Sequence, residues 1–306
     1  MKQKLIKPSY FYYAPSWIIF SIIWIFSQLP YQVFNIFGKI LGKFVKLVIP
    51  SRKKVVATNL KLCFPEMDQP QKQTLIKKHF NELGLMVSQT LKAFLGNTKH
   101  IENTAVITGT EHIKACLDKK QGILLVAGHF TSLDMGGKIL CKKFPISGMY
   151  REHKHPLTEY IVTKSRLKYA KHMFKRDELR PIIKHLKAGG ILWYAPDQDY
   201  RRGQSVFVPF FNHPASTITA THQMARLSKC AVLFFHVKRN KKPPYYNLTL
   251  SAPIENFPSK DAVNDTARVN QGIEEMIKIN PEEYLWVHKR FKTTPKGERN
   301  PYQSND

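Results

Sequence analysis

Hydrophobic positions follow three different rhythms along the chain. From Pro8 to Gly38 no charged residue interrupts, and within that stretch Trp17–Leu29 is almost entirely aliphatic or aromatic. Tyr10–Leu29 is about long enough to cross a bilayer, with Tyr10, Tyr12, Tyr13 and Tyr31 placed as interfacial belts. The strictly apolar part is short, so a segment dipping into one leaflet fits equally. No small-x-small cleavage site follows, which argues against a signal peptide. Residues 1–31 are therefore expected to be a transmembrane or membrane-anchoring segment. In Phe34–Ile49, Lys39, Lys43 and Lys46 share one helical face among Ile, Leu, Phe and Val. That pattern predicts either an amphipathic helix lying on an anionic membrane or a helix packed on the core with solvated lysines. Arg52-Lys53-Lys54 extends the charge, and the positive excess after the apolar span puts the main domain on the cytoplasmic side.

Helical spacing continues through Val55–Leu95, where Leu83, Met86, Val87, Leu91 and Phe94 line one face. From Gly109 the rhythm changes. Short β-rich runs at 122–127, 145–151, 190–195, 231–238 and 245–251 alternate with helical patterns at 134–143, 157–172, 178–188, 216–229 and 261–279. Such alternation predicts an α/β sheet covered by helices. The domain plan is a helical part, 32–108, leading into an α/β part, 109–306.

The stretch Gly122–Gly137, GILLVAGHFTSLDMGG, concentrates the candidate chemistry. A buried-strand run ends at Gly128-His129, and Asp134 falls where a helix can begin. His129 thus sits at the strand-to-helix edge where α/β folds bind ligands. A carboxylate five residues on can reach back to the imidazole, fix its tautomer and leave the other ring nitrogen as a base. A chain with 12 His and 22 acidic residues meets that spacing about once by chance, and a second copy occurs at His172–Asp177. The second lies in a Lys/Arg-rich helix-like stretch with no strand before it, so context selects His129 and Asp134. A satisfied structural histidine is the competing reading of His129.

Composition narrows the partners. Lys and Arg number 48 against 22 Asp and Glu, a net charge of +26, which calls for an anionic partner: nucleic acid, acidic lipid or a phosphorylated substrate. Cys63, Cys116, Cys141 and Cys230 are scattered without a CxxC pair, so neither a zinc site nor a disulfide framework is signalled. No nucleic-acid-binding signature accompanies the charge. Three polar clusters lie at expected strand ends or near the C-terminus: Met149-Tyr150-Arg151, Trp193–Tyr200 with Asp197, Gln198 and Asp199, and Tyr284–Lys292. Arg151 has the donor geometry for a phosphate or an acyl oxygen, or is simply a surface arginine. Asp197 and Asp199 without a third ligand are poor metal candidates, and either one can instead cap a loop or pair with Arg201 or Arg202.

GHFTSLD, MYREHKHP, FKRDELRPIIKHLKAGGILWYAPDQDY, SVFVPFF and YLWVHKRFKTTP occur in this order. Together they resemble the lipid A late acyltransferases (the HtrB/LpxL and MsbB/LpxM group), most nearly the lauroyl-transferase branch, over most of the chain. The resemblance implies a glycerolipid-acyltransferase-like α/β fold with an N-terminal membrane-anchoring helix. It also implies acyl transfer from acyl carrier protein to the 3-hydroxyacyl hydroxyl of a Kdo-bearing lipid A precursor. His129 would be the base and Asp134 its orienting carboxylate. Tyr150, Arg151, Asp197, Gln198 and Asp199 would contact substrate, with no metal and no cofactor. The expected location is the bacterial inner membrane, cytoplasmic face, in contact with its lipids. Acyl transfer to a lysophospholipid or another glycolipid is the enzymatic alternative. A non-catalytic basic protein at a membrane or on nucleic acid is the alternative of another class.

Overall fold

In the computed structural model, residues 5, 7–9, 11–201 and 203–303 are described. Tyr10 of the expected aromatic belt and Arg202 lie outside them. The helical part comprises α1 (Ala14–Ser27), α2 (Tyr31–Val48), α3 (Pro50–Cys63), α4 (Gln69–Leu95) and the short α5 (Lys99–Thr104). The α/β part follows in the order β1 (Val106–Thr108), α6 (Thr110–Asp118), β2 (Ile123–Val126), α7 (Leu133–Cys141), β3 (Ile146–Tyr150), α8 (Pro156–Arg166), β4 (Met173–Lys175), α9 (Leu179–Lys187) and β5 (Ile191–Tyr194). It continues with β6 (Ser205–Phe210), β7 (His213–Ile218), α10 (Ala220–Ser228), β8 (Ala231–Arg239), β9 (Tyr246–Leu250), α11 (Ala262–Ile279) and a 3-10 turn at Pro281–Glu283.

Seven strands form one sheet in the order β1-β9-β8-β2-β5-β3-β4, parallel except where β8 meets β9. Strand β2 is central and buried at all four positions, as a parallel strand covered on both faces must be. Its side chains divide by parity. Leu124 and Val126 join one core with Leu192, Val232 and residues of α3, α4 and α11, whereas Ile123 and Leu125 join the other with Ile139, Phe235 and Leu248. Strands β6 and β7 make a separate hairpin. The expected helix 216–229 therefore begins four residues late, because Ser216–Ile218 belong to β7. The expected helix 157–172 stops at Arg166, and His172 leads into the edge strand β4 rather than lying in a helix.

The apolar N-terminus is two helices, not one span. Leu29-Pro30 separates α1 from α2, and α1, at 14 residues, rises only about 21 Å. No helix among the described residues is long and apolar enough to cross a membrane. The carboxyl end of α1 is held by buried Lys92, whose Nζ donates to the carbonyls of Ser27 and Leu29, both at 2.7 Å. A cation at that end satisfies orphaned carbonyls and complements the helix dipole.

Helix α2 is turned the opposite way from an ordinary surface helix. Its inward face carries Tyr31, Phe34, Gly38 and Gly42, while Ile36, Ile40, Phe44 and Leu47 stand exposed beside Lys39 and Lys43. The glycines let the backbone of α2 press on α4. A Cβ on Gly42 would lie 2.1 Å from the Phe80 carbonyl oxygen, and one on Gly84 would lie 1.9 Å from that of Gly38. Small residues four apart in this way permit close helix contact in membrane proteins. Since both neighbours are backbone, neither can yield without moving a helix. Gly84→Ala should destabilise the fold by about 1–3 kcal/mol, seen as a thermal midpoint lowered by several degrees. Gly137→Ala in α7, where a Cβ meets nothing within 4 Å, should leave that midpoint unchanged or slightly raised.

Candidate active site

Register explains how the site assembles. Strands β2 and β5 are parallel neighbours with Val126 opposite Tyr194. Three residues beyond each lie His129 and Asp197, so both loops leave the carboxyl edge of the sheet side by side. Asp197 grips His129 twice: its Oδ2 accepts the His129 backbone N–H at 2.8 Å, and its Oδ1 lies 2.5 Å from Nδ1. The Tyr284 hydroxyl also hydrogen-bonds this carboxylate. The aspartate side chain is 1% exposed and the imidazole 29%. Nδ1 on a carboxylate carries the proton, so Nε2, for which no described group is a partner, presents a lone pair outward.

The electrostatics agree with that geometry. Burial alone would lower the His129 pKa, but the charge of Asp197 and its hydrogen bond outweigh burial and raise it above 6.5. Burial would raise Asp197, yet His129 and the hydrogen bonds hold it at about 2. The arrangement is the orienting half of a triad: a base whose imidazolium form is stabilised by a buried carboxylate.

Asp134 is not that carboxylate. It starts α7, as expected, but its Oδ1 pairs with Arg166 of α8, 2.8 Å from Nη2 and 3.0 Å from Nε, and its Oδ2 accepts from Thr90 Oγ1 at 3.4 Å. The Arg166 guanidinium also lies over the Phe94 ring at 5.7 Å. A guanidinium so far removed from water needs a counter-charge, and Asp134 supplies it. The HxxxxD spacing does not bring Asp134 to the His129 ring; Asp197 is the carboxylate there.

The remaining expected contacts are spread out. Tyr150 is buried and its hydroxyl donates to Glu159 Oε1 at 2.6 Å, tying β3 to α8. Arg151, the next residue, is exposed and has no hydrogen-bonding or ionic partner among the described residues. Gln198 is half-buried, also without one. Asp199 accepts from Thr293 N–H at 2.9 Å and Thr293 Oγ1 at 3.0 Å, while its own N–H donates to His288 Nε2 at 3.1 Å. It pins a loop to the C-terminal segment, the capping role that composition allowed. His172 packs at a tilt against Phe174, ring centroids 4.3 Å apart, and has no hydrogen-bonded or salt-bridged carboxylate among the described residues. No group of acidic, His or Cys residues among the described ones could hold a metal.

What sequence reasoning missed is the clamp on the His129 loop. Thr131 N–H donates to the Glu283 carbonyl at 2.8 Å, and Leu285 N–H donates to the His129 carbonyl at 2.9 Å. Ser132 Oγ donates to the buried Glu283 carboxyl, whose other oxygen accepts from Arg239 N–H at 3.0 Å. Burial and the nearby charge of Glu82 lift the Glu283 pKa to about 7 against these hydrogen bonds. The cluster at 284–292 included Tyr284 but nothing that pointed to its bond with Asp197, and Glu283 lay just outside it.

The sequence pattern of the family described as "Bacterial lipid A biosynthesis acyltransferase" matches residues 1–293. The chain belongs to that family. Among curated relatives, the acyltransferase is 36% identical to the lipid A biosynthesis lauroyltransferase of Escherichia coli, over 96% of this chain and 95% of the relative. It is 33% identical to the palmitoleoyltransferase of the same organism, over 95% of each chain, and 22% to the myristoyltransferase, over 87% and 83%. Among solved structures, the 1-acyl-sn-glycerophosphate acyltransferase of Thermotoga maritima aligns over 80% of this chain and 97% of its own, with 14% identity and a TM-score of 0.38. Membership makes the protein an enzyme of late acyl transfer in lipid A synthesis and removes the non-catalytic alternative.

The acyltransferase should show an acid limb in its pH–rate profile, since the base works only when Nε2 is unprotonated. The limb should lie above pH 6.5, because Asp197 raises the His129 pKa. Asp197→Asn removes the charge and leaves burial to act, so the limb should move to lower pH while the rate falls about 10²–10⁴-fold. Asp134→Ala should cost about 1–3 kcal/mol of stability and leave the limb in place. A limb that moves with Asp134 and not with Asp197 would reverse the assignment.

Proposed function

We propose that the acyltransferase moves a fatty acyl chain from acyl carrier protein to the 3-hydroxyacyl hydroxyl of a Kdo-bearing lipid A precursor, with His129 as general base. The observation that carries this reading is the outward Nε2 of an imidazole clamped at Nδ1 by buried Asp197. Nε2 takes the acceptor hydroxyl proton as that oxygen attacks the thioester carbonyl. The C–O bond forms, the tetrahedral intermediate collapses, the C–S bond breaks, and the departing thiolate recovers the proton from the imidazolium. Asp197 stabilises the imidazolium throughout. A thioester is already activated, so the step as written uses no cofactor and no acyl-enzyme. Arg151, exposed at the end of β3 and unpaired, is the group offered to the acceptor's phosphate.

An apolar cavity behind α7 is suited to the donor chain. Leu125, Leu140, Ile146, Met173, Trp193 and Phe235 line it, with Asp134 and Arg166 on its wall. It is closed down to about 30 Å³, so an entering chain displaces side chains, of which Met173 is the most pliable. The net charge of +26 favours both an acidic carrier protein and a phosphorylated lipid. The exposed apolar faces of α1 and α2, with lysines beside them, suit a helix pair lying in the cytoplasmic leaflet of the inner membrane.

His129→Ala should lower acyl transfer about 10²–10⁴-fold with the circular dichroism spectrum intact, and His172→Ala should stay near wild type. Transfer from acyl carrier protein to the purified precursor, read by mass spectrometry of the product, measures both. An active His129→Ala enzyme would end the mechanism. Replacing Ile40, Phe44 and Leu47 together by Ser should reduce flotation with vesicles of inner-membrane composition. Unchanged flotation would remove α2 from the membrane contact.

A further inference from the structure

A second His–Asp pair lies far from the first. Helix α10 presents His222 and Arg226 one turn apart on one face, and Lys229 follows at its carboxyl end. Opposite them runs the loop Asn256–Lys260. Between the two is an open depression of about 650 Å³, lined by these residues together with Phe257 and Ser259. It lies at the wrong end of the sheet to serve acyl transfer. Strands β2 and β8 are parallel with Ile123 opposite Ala231, and Lys229 stands two residues before Ala231. The depression is therefore at the amino edge, whereas His129 is at the carboxyl edge.

The floor of this depression is built. Asp265, fully buried, lies 2.7 Å from His222 Nδ1 and accepts the Ser259 N–H at 2.8 Å, so it joins α10 to the loop. Its other oxygen is 3.6 Å from Arg268 Nη1. His222, at 5% exposure, is more than nine-tenths buried. With Nδ1 on the carboxylate, its Nε2 has no hydrogen-bond partner among the described residues, and the residue forms part of the depression's lining. Arg226, Lys229 and Lys260 surround it, all exposed and none paired with an acid. Here three uncompensated cations line the same depression as a histidine whose orientation is fixed from below.

We propose that this depression binds a phosphomonoester group, distinct from any group at His129. His222 contributes one oriented ring nitrogen. Arg226 offers a planar pair of donors, and the two lysines add charge without geometric demand. The Phe257 ring gives an apolar side against which the remainder of the ligand can lie. The same chemistry occurs on free phosphorylated metabolites and on a phosphomonoester lipid headgroup.

The test uses the full chain in detergent micelles and titrates it calorimetrically with inorganic phosphate, at ionic strength held constant with chloride. Saturable binding is expected, weakened at least ten-fold in Arg226→Ala/Lys229→Ala and unchanged in Lys241→Ala/Lys242→Ala. The exposed positions of both pairs spare the core, and the first pair should keep wild-type acyl transfer in the absence of phosphate. Flotation with phosphatidic acid vesicles then separates the sources. A deficit in Arg226→Ala/Lys229→Ala relative to wild type assigns the site to a headgroup, and equal flotation with intact phosphate binding in wild type assigns it to a soluble ligand. Two results overturn the proposal: no saturable phosphate binding by the wild type, or binding that survives the double substitution.

Discussion

A carboxylate at 1% exposure is tolerable only if every lone pair is answered, and around Asp197 the chain arranges three answers: an imidazole, a backbone N–H and a phenol. This one group ties two loops from adjacent strands to the C-terminal segment. Without a partner of that kind the His129 ring would be free to rotate about its side-chain bonds. With it, the ring has one tautomer and one direction. The clamp through Glu283 and Leu285 does the same for the backbone, so Nε2 is positioned from two sides. Its reach extends further, because Glu283 also meets the Arg239 backbone, and the Arg239 side chain pairs with Glu82 on α4. One hydrogen-bonded bridge between the helical part and the sheet thereby ends at the His129 loop.

How much of this could be read from the letters depends on whether the cause was local. The strand ending at His129 was legible because four consecutive β-forming residues bounded by glycines need nothing else to be a buried strand. Asp197 was legible as a polar residue at a strand end, yet its bond to His129 depends on which strands are neighbours, and strand order leaves no mark at one position. Asp134 illustrates the converse. Its spacing from His129 is local and right for contact, but Arg166, 32 residues on, outbids the imidazole. The hairpin β6–β7 escaped because Pro209 and Pro214 interrupt the alternation, and because its turn at Phe211 and Asn212 takes φ of 49° and 63° without a glycine to announce it. Strands β1 and β4, at three residues each, are too short for any period.

The N-terminal region shows how the same composition can mean two architectures. An uncharged run of this length reads as a span, and only its interruption at Pro30, with Lys92 sealing the end of α1, makes it a pair of short helices. Lys39 and Lys43 are exposed, which both readings of Phe34–Ile49 allowed. What periodicity could not say is that the glycines, and not the large aliphatic residues, would face the protein.

That inversion in α2 separates two properties that most helices must serve with one set of side chains. Two glycines sit where α2 meets the body, and the large aliphatic residues are exposed on the other side. The outward aliphatic residues can therefore be exchanged without disturbing the contact with α4, whereas any side chain added at Gly38 or Gly42 would run into the α4 backbone.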